Sequence, residues 1–241
     1  MKFSKDTLNI LKNFSGINPG IMLKPGNTIL TRSVTGASYG EATVSDTFDI
    51  EAAIYDLNGF LSILSLVSES AEVSVSEDQT TLIIKDQRST IKWPIADPST
   101  IAFPSKAIPF PVAEVIFDLK AEDYQQLMRV SSGLSIDTFA ITVDDGKIVI
   151  NGYKQVDDKE LTRPLYSLVV ADHDGPEFKF IINKTNMKMM PADYHVLLWA
   201  RGEGQDARFA AKFEGAQASY VLAMEAGSSH SFQCIYVIII R

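Results

Sequence analysis

The stretch DPSTIAFPSKAIPFPVA occupies residues 97–113 and holds Pro98, Pro104, Pro109 and Pro111, with Pro94 just upstream. Proline fixes φ, removes a backbone donor and pushes the residue before it towards an extended conformation. The stretch is therefore neither a helix nor a central strand. It lacks the Gly/Ser composition of a floppy tether. Ile101, Phe103, Ile108 and Phe110 would be costly to leave in water. Two readings follow: an extended connector lying on the surface of what it joins, or an ordinary proline-rich surface loop. The stretch falls near the middle of 241 residues, so likeness between its flanks decides between them.

The flank before it opens on a helix over Lys5–Phe14 capped by Ser4, with Leu8, Leu11 and Phe14 on one face and Lys5, Asn9 and Lys12 on another. Short alternating runs follow at 20–24, 27–32, 37–45 and 47–54, with Pro25-Gly26 and Gly36 supplying turns. Asp56 caps a second helix, LNGFLSILSLV, and three more strand-like runs at 71–76, 80–85 and 88–93 reach the prolines. The flank after it repeats the order. A strand at 113–120 leads into a helix AEDYQQLMRVSS with Gln125, Arg129 and Ser132 outward, and four strands follow, the first two joined by an Asp145-Gly146 turn. A short helix NKTNMKMM at 183–190 places Lys184 and Lys188 at i and i+4 on one face until Pro191 ends it, and three strands close the half. Each half reads helix, strands, helix, strands, which supports two related domains hinged on the connector.

Composition agrees. Hydrophobic content of 46% with 22% charged residues is that of a globular protein, and the length suits two domains of about 110 residues. The single cysteine, Cys234, excludes an internal disulfide framework and a cysteine metal site, and suits a reducing compartment. The N-terminus MKFSKDTLNILKNF is amphipathic and broken by charges, unlike a signal peptide, and no run of eighteen apolar residues spans a membrane. A net charge of −8 speaks against nucleic acid on average, although a patch of one sign can sit on a surface of the other.

Particular strings carry a resemblance: SKDTLNILKNF, IYDLNGFLSILSLV (54–67), RSTIKWPIADPST (88–100), PFPVAEV (109–115), LKAEDYQQLMRVSSGLSIDTFAITV (119–143), GKIVINGYKQVDD (146–158) and MKMMPADYHVLLWA (187–200). Over residues 1–232 the chain resembles the sliding clamps of T-even-type bacteriophages, the processivity factors of their DNA polymerases. The resemblance implies an α+β DNA-clamp fold with two topologically similar domains, 1–96 and 113–232, joined by the connector 97–112. It implies a homotrimeric ring with helices lining the hole and antiparallel sheets outside, and no enzymatic activity or cofactor. Lys5, Lys12, Lys120, Arg129, Lys184 and Lys188 would then face double-stranded DNA and attract phosphates without reading bases. Ile101, Phe103, Ile108 and Phe110 would line a pocket for a DNA polymerase C-terminal peptide. Edge strands near Thr80–Trp93 and Leu161–Val170 would form the subunit interface, marked by Trp93 and Pro164. An ATP-driven clamp loader and late-transcription factors are further implied partners, and the cytoplasm of the infected bacterial host is the implied location. The alternative is a β-rich structural or interaction module whose basic helices are merely solvated.

Other constellations carry little. His173 between Asp172 and Asp174 reads as a turn rather than a metal site, and Asp144-Asp145 and Asp157-Asp158 as acidic turns rather than an acid/base couple. Gly-rich phosphate loops and a Gly-x-Ser-x-Gly motif are absent. The tail 233–241, QCIYVIIIR, departs from the family pattern and is β-prone. A bound strand, an artificial addition and a natural extension are all open readings of it.

Overall fold

The first helix, α1 (Lys5–Ile17), begins where the Ser4 hydroxyl accepts the Thr7 N–H at 3.3 Å. In this computed structural model, which describes residues 1–202 and 204–232, α1 buries Ile10, Leu11, Phe14 and Ile17 against its own unit. The tail 233–241, with Cys234, lies outside the described residues. Contacts divide the chain into two units: Met1–Pro109 with Lys188–Met190 and Gln217–Tyr220, and Phe110–Met187 with Pro191–Ala216 and the chain from Val221.

The first unit continues through β1 (Ile21–Leu23), β2 (Gly26–Arg32), β3 (Ser38–Phe48) and β4 (Ala52–Ile54), then α2 (Leu57–Leu64) and β5 (Glu72–Val75), β6 (Thr81–Asp86) and β7 (Ser89–Pro94). β1 pairs with β4, β2 with β3, and the last three strands form a sheet in the order β5-β6-β7. Asp56 caps α2 by accepting the Gly59 N–H at 2.9 Å. The helix is three residues shorter than the apolar run predicts. Ser62 and Ser65 hydroxyls donate to the carbonyls of Asn58 and Ser62, and such back-bonding weakens a helix end. α1 lies close on the β2–β3 hairpin: a Cβ on Gly40 would stand 3.0 Å from the Phe14 ring.

The second unit carries β8 (Val115–Leu119), α3 (Ala121–Gly133), β9 (Thr138–Asp144), β10 (Lys147–Tyr153), β11 (Tyr166–Asp172), β12 (Phe178–Asn183), β13 (Tyr194–Arg201) and β14 (Arg208–Glu214). After β15 (Ala218–Ala223), whose last three residues fall in this unit, comes the short β16 (Ser229–His230). One sheet runs β11-β10-β9-β12-β16, and β13 pairs with both β8 and β14. Asp145 (φ 47°) and Gly146 (φ 69°) occupy the left-handed region demanded by the predicted two-residue turn. α3 has no side-chain cap of its own; Asp193, far along the chain, accepts the Ala121 N–H at 2.8 Å.

The fourth predicted helix is not one. Residues 184–186 make a single 3₁₀ turn, and Met187–Met190 run on irregularly, with Met187 and Met189 buried while Lys188 stays exposed. That is a period of two. Between Asn183, which caps the turn through Thr185 N–H at 2.9 Å, and Pro191 there is too little chain to nucleate a helix. No helix among the described residues is long and apolar enough to cross a membrane.

At the start of α1, the Ser4 N–H donates to Asp46 Oδ2 at 2.6 Å. Burial opposes the Asp46 charge, but hydrogen bonds from Ser4 and Thr7 outweigh it and hold its carboxyl below the usual carboxylate range. A depressed folded value stabilises above the unfolded pKa and loses that contribution as pH falls through the folded one. Asp46→Asn should therefore lower stability by about 1 kcal/mol at pH 7. The gap from wild type in urea unfolding should close as pH falls towards 3.

Candidate nucleic-acid and partner interfaces

The predicted cations do not form one uniform row. Lys5, Lys12 and Gly16 follow the exposed face of α1, and neither α1 nor α3 carries a basic residue in its last turn. The segment at 184–188 supplies both. Lys188 Nζ donates to the Gly16 carbonyl at 2.6 Å, so its ammonium continues the line of Lys5 and Lys12. Asn13 secures it, donating to the Lys188 carbonyl at 3.0 Å while accepting the Tyr220 hydroxyl at 2.7 Å. Burial pushes the Tyr220 hydroxyl up to about 12, so it remains a donor at any working pH. Lys184 instead reaches the Ser132 hydroxyl, 3.4 Å away in the last turn of α3, one turn beyond Arg129. A cation at a helix C-terminus is favoured by the macrodipole. Lys184 and Lys188 therefore serve different helices rather than sharing one.

Lys120 is exposed at the N-cap of α3, the end where the dipole disfavours a cation; Glu122 and Asp123 in the first turn offset it. Lys5 pairs with Glu69 at 2.7 Å, and both side chains are exposed. α2 offers no cation, its outer face being Asn58, Ser62 and Ser65.

The connector is pinned to the first unit. The Ala96 N–H donates to the Ala53 carbonyl at 2.9 Å, and Asn18 Nδ2 donates to the Ala102 carbonyl at 2.8 Å. Ile101 is only 7% exposed and packs with Met22 and Ala53, with Phe103 half-buried against the same cluster. Lys24 lies over the Phe103 ring, 5.0 Å from its centroid. Ile108 is exposed, and Phe110 is half-buried in the second unit. So two of the four predicted pocket residues meet, and Ile101 is a core side chain. A cavity of about 450 Å³ opens elsewhere in the first unit, lined by Phe3, Leu8, Leu64 and Val73 and by no connector residue. Ile101→Ala should cost about 2–4 kcal/mol of stability, read by denaturant unfolding, whereas Phe103→Ser should cost less and leave the fold intact.

Each predicted edge region contains one edge strand, although the first also spans β6, the centre of its sheet. β7 ends its sheet, while the opposite border, β5, is closed by reciprocal 2.8 Å hydrogen bonds between Met1 and Val73. The Ile95 N–H donates to the Thr80 carbonyl. By antiparallel alternation Trp93–Leu82 is then a hydrogen-bonded pair, and Thr90 and Lys92 turn their backbone groups outward. The Trp93 indole packs on Phe60, centroids 5.6 Å apart, and stays half-buried at the edge strand. β11 ends the other sheet, with Val169 56% exposed and Pro164 exposed just before it. Leu161, in contrast, is buried with Ala140, Tyr153 and Ile181, so the early part of that region is a packed loop. Bare edges with apolar side chains invite strand pairing.

Two family models divide the chain: DNA polymerase processivity factor over residues 4–103, and the C-terminal part of the gp45 sliding clamp over residues 116–226. The sliding clamp of Enterobacteria phage T4 is 59% identical over 233 residues, covering 96% of this chain and all of that protein. The chain belongs to the sliding-clamp family. Sliding clamps are processivity factors rather than enzymes, and this clamp is one of them. A solved structure of proliferating cell nuclear antigen from Entamoeba histolytica is 13% identical and superposes with a TM-score of 0.61 over 93% of this chain and 97% of that one. The A. fulgidus counterpart, solved with the C-terminal region of FEN-1 bound, is 16% identical with a TM-score of 0.61 over 94% and 98%. At such identities the likeness concerns the fold, which is the DNA-clamp fold. Among the described residues no His, Cys, Asp and Glu group could hold a metal ion, and His173 Nε2 bonds the Pro176 carbonyl at 3.0 Å.

Proposed function

We propose that this clamp closes as a homotrimeric ring around duplex DNA and holds the replicative polymerase on its template by topology rather than tight contact. The observation that carries the reading is 59% identity across the whole of a known sliding clamp. β7 of one subunit pairs with β11 of the next, which removes both bare edges. The exposed faces of α1 and α3 turn towards the DNA, where Lys5, Lys12, Lys120, Arg129, Lys184 and Lys188 supply diffuse attraction to phosphates. Long, screened side chains that bond no base edge leave the ring free to slide.

The surface beside the connector, around Phe103 and Ile108, receives the C-terminal peptide of the polymerase; Ile101 holds that surface in place from beneath. An ATP-driven loader opens the ring, late-transcription factors are further partners, and the setting is the cytoplasm of the infected bacterial cell. Sedimentation at micromolar concentration tests the ring. A species of about 80 kDa, three times the 26.5 kDa chain, is expected, together with processive synthesis on primed circles that is lost on short open-ended duplexes. A monomer that stimulates neither would overturn the reading.

A further inference from the structure

We propose that Lys24 and Lys106 form a carboxylate-receiving rim at the connector. The clamp would then select partner peptides that carry an acidic group or a free C-terminal carboxylate beside an apolar anchor. The inference rests on the connector docking site proposed above and specifies its chemistry.

The geometry begins with the pins. Asn18 fixes Ala102 by its carbonyl, and the Ile108 backbone lies beside the Tyr39 hydroxyl. Between them, Phe103–Ala107 make no backbone hydrogen bond among the described residues, so this span bridges the Asn18 pin and the Tyr39 contact. Its inner side is apolar, with Phe103 resting on the Met22, Ala53 and Ile101 cluster. Lys24 extends over the Phe103 ring at 5.0 Å and forms no ion pair among the described residues. The aromatic face attracts the ammonium and keeps it at the border of the apolar surface, which lowers the entropy lost when an anion arrives.

Charge distribution points the same way. From Pro98 to Ala113 the only charged residue is Lys106, exposed in the middle of the bridging span, in a chain of net charge −8. One acid, Glu41, comes to the far end of the connector through Tyr39. Its carboxylate accepts the Tyr39 hydroxyl at 2.7 Å rather than a lysine. An approaching carboxylate therefore meets two cations with no internal acid to displace. Paired beside an apolar surface, it is less screened than one in open water.

Fluorescence anisotropy with the full-length clamp tests this. The probe is a fluorescein-labelled peptide of roughly the last ten residues of the phage DNA polymerase, made as the free acid, as the C-terminal amide, and with its Asp and Glu changed to Asn and Gln. On wild type, removing the group that Lys24 and Lys106 receive should weaken binding about fivefold, and the form that weakens identifies the source. On Lys24→Met/Lys106→Met all forms should bind alike, at the strength of the weakened form, with the melting temperature unchanged. A carboxylate preference that survives in the double variant, or no preference on wild type, overturns the rim. Binding of no form to wild type removes the docking site itself and the rim with it.

Discussion

Replacing Lys92 by proline should leave each chain folded and break the ring. The Lys92 N–H points away from β6, and its side chain is exposed, so proline removes nothing that its own sheet uses. Pro94, two residues on, occupies the same outward register. In the proposed β7–β11 pairing, however, the neighbour's edge loses a hydrogen bond and meets the pyrrolidine ring. The trimer's dissociation constant should rise about a hundredfold or more, on the order of 2.7 kcal/mol. Sedimentation velocity reads the shift, and circular dichroism confirms the fold. Lys92→Thr keeps the backbone donor and should assemble normally. A proline variant that stays trimeric would move the contact to another edge.

Alanine at Lys5, Lys12, Lys120, Arg129, Lys184 and Lys188 together should weaken DNA association steeply while the trimer persists. Each phosphate contact contributes about 0.9 to the slope of log K against log salt, so the slope should flatten by about 3 to 5. Processive synthesis at 150 mM salt should fall about tenfold or more, although single changes should each do little. Lys5 should matter least alone, because Glu69 already engages it at 2.7 Å. Some stability is lost too: Lys184 and Lys188 place cations at helix C-termini, worth roughly 0.3–1 kcal/mol each. Full stimulation of a polymerase by the combined variant, with an unchanged salt slope, would make these side chains ordinary solvated cations.

Local chemistry determined a good part of this molecule directly. Ser4 and Asp56 announce their helices because a short polar side chain can satisfy an N-terminal backbone donor within three residues. Asp145-Gly146 announces its hairpin because few other pairs tolerate two successive positive φ angles. The prolines at 94–111 announce a connector without α-helix because each fixes φ and removes a backbone donor, although Pro94 still ends β7 and Pro98 opens a single 3₁₀ turn over Pro98–Thr100. Long strings shared with the clamp family made the fold class and the processivity role legible, where lysines on a helix face alone would not.

Tertiary structure decided what depends on distant partners. NKTNMKMM has helical spacing in its lysines, yet burial of Met187 and Met189 imposes an alternating pattern, and the two lysines go to different helix ends. The Asn13–Tyr220 bond that positions Lys188 spans 207 residues, and the Asp193 cap on α3 spans 72; no local pattern encodes either. Ile101 and Ile108 look alike in sequence, but one enters the core and the other stays in water, because Asn18 pins the chain at Ala102 and Ile101 packs on Met22 and Ala53. Trp93 reads from sequence as an aromatic on an exposed edge, and its half-burial comes from the contact with Phe60. Sequence sets which conformations each residue can adopt at low cost. Which side of an extended chain becomes buried is a matter of what packs against it, and only the assembled fold decides that.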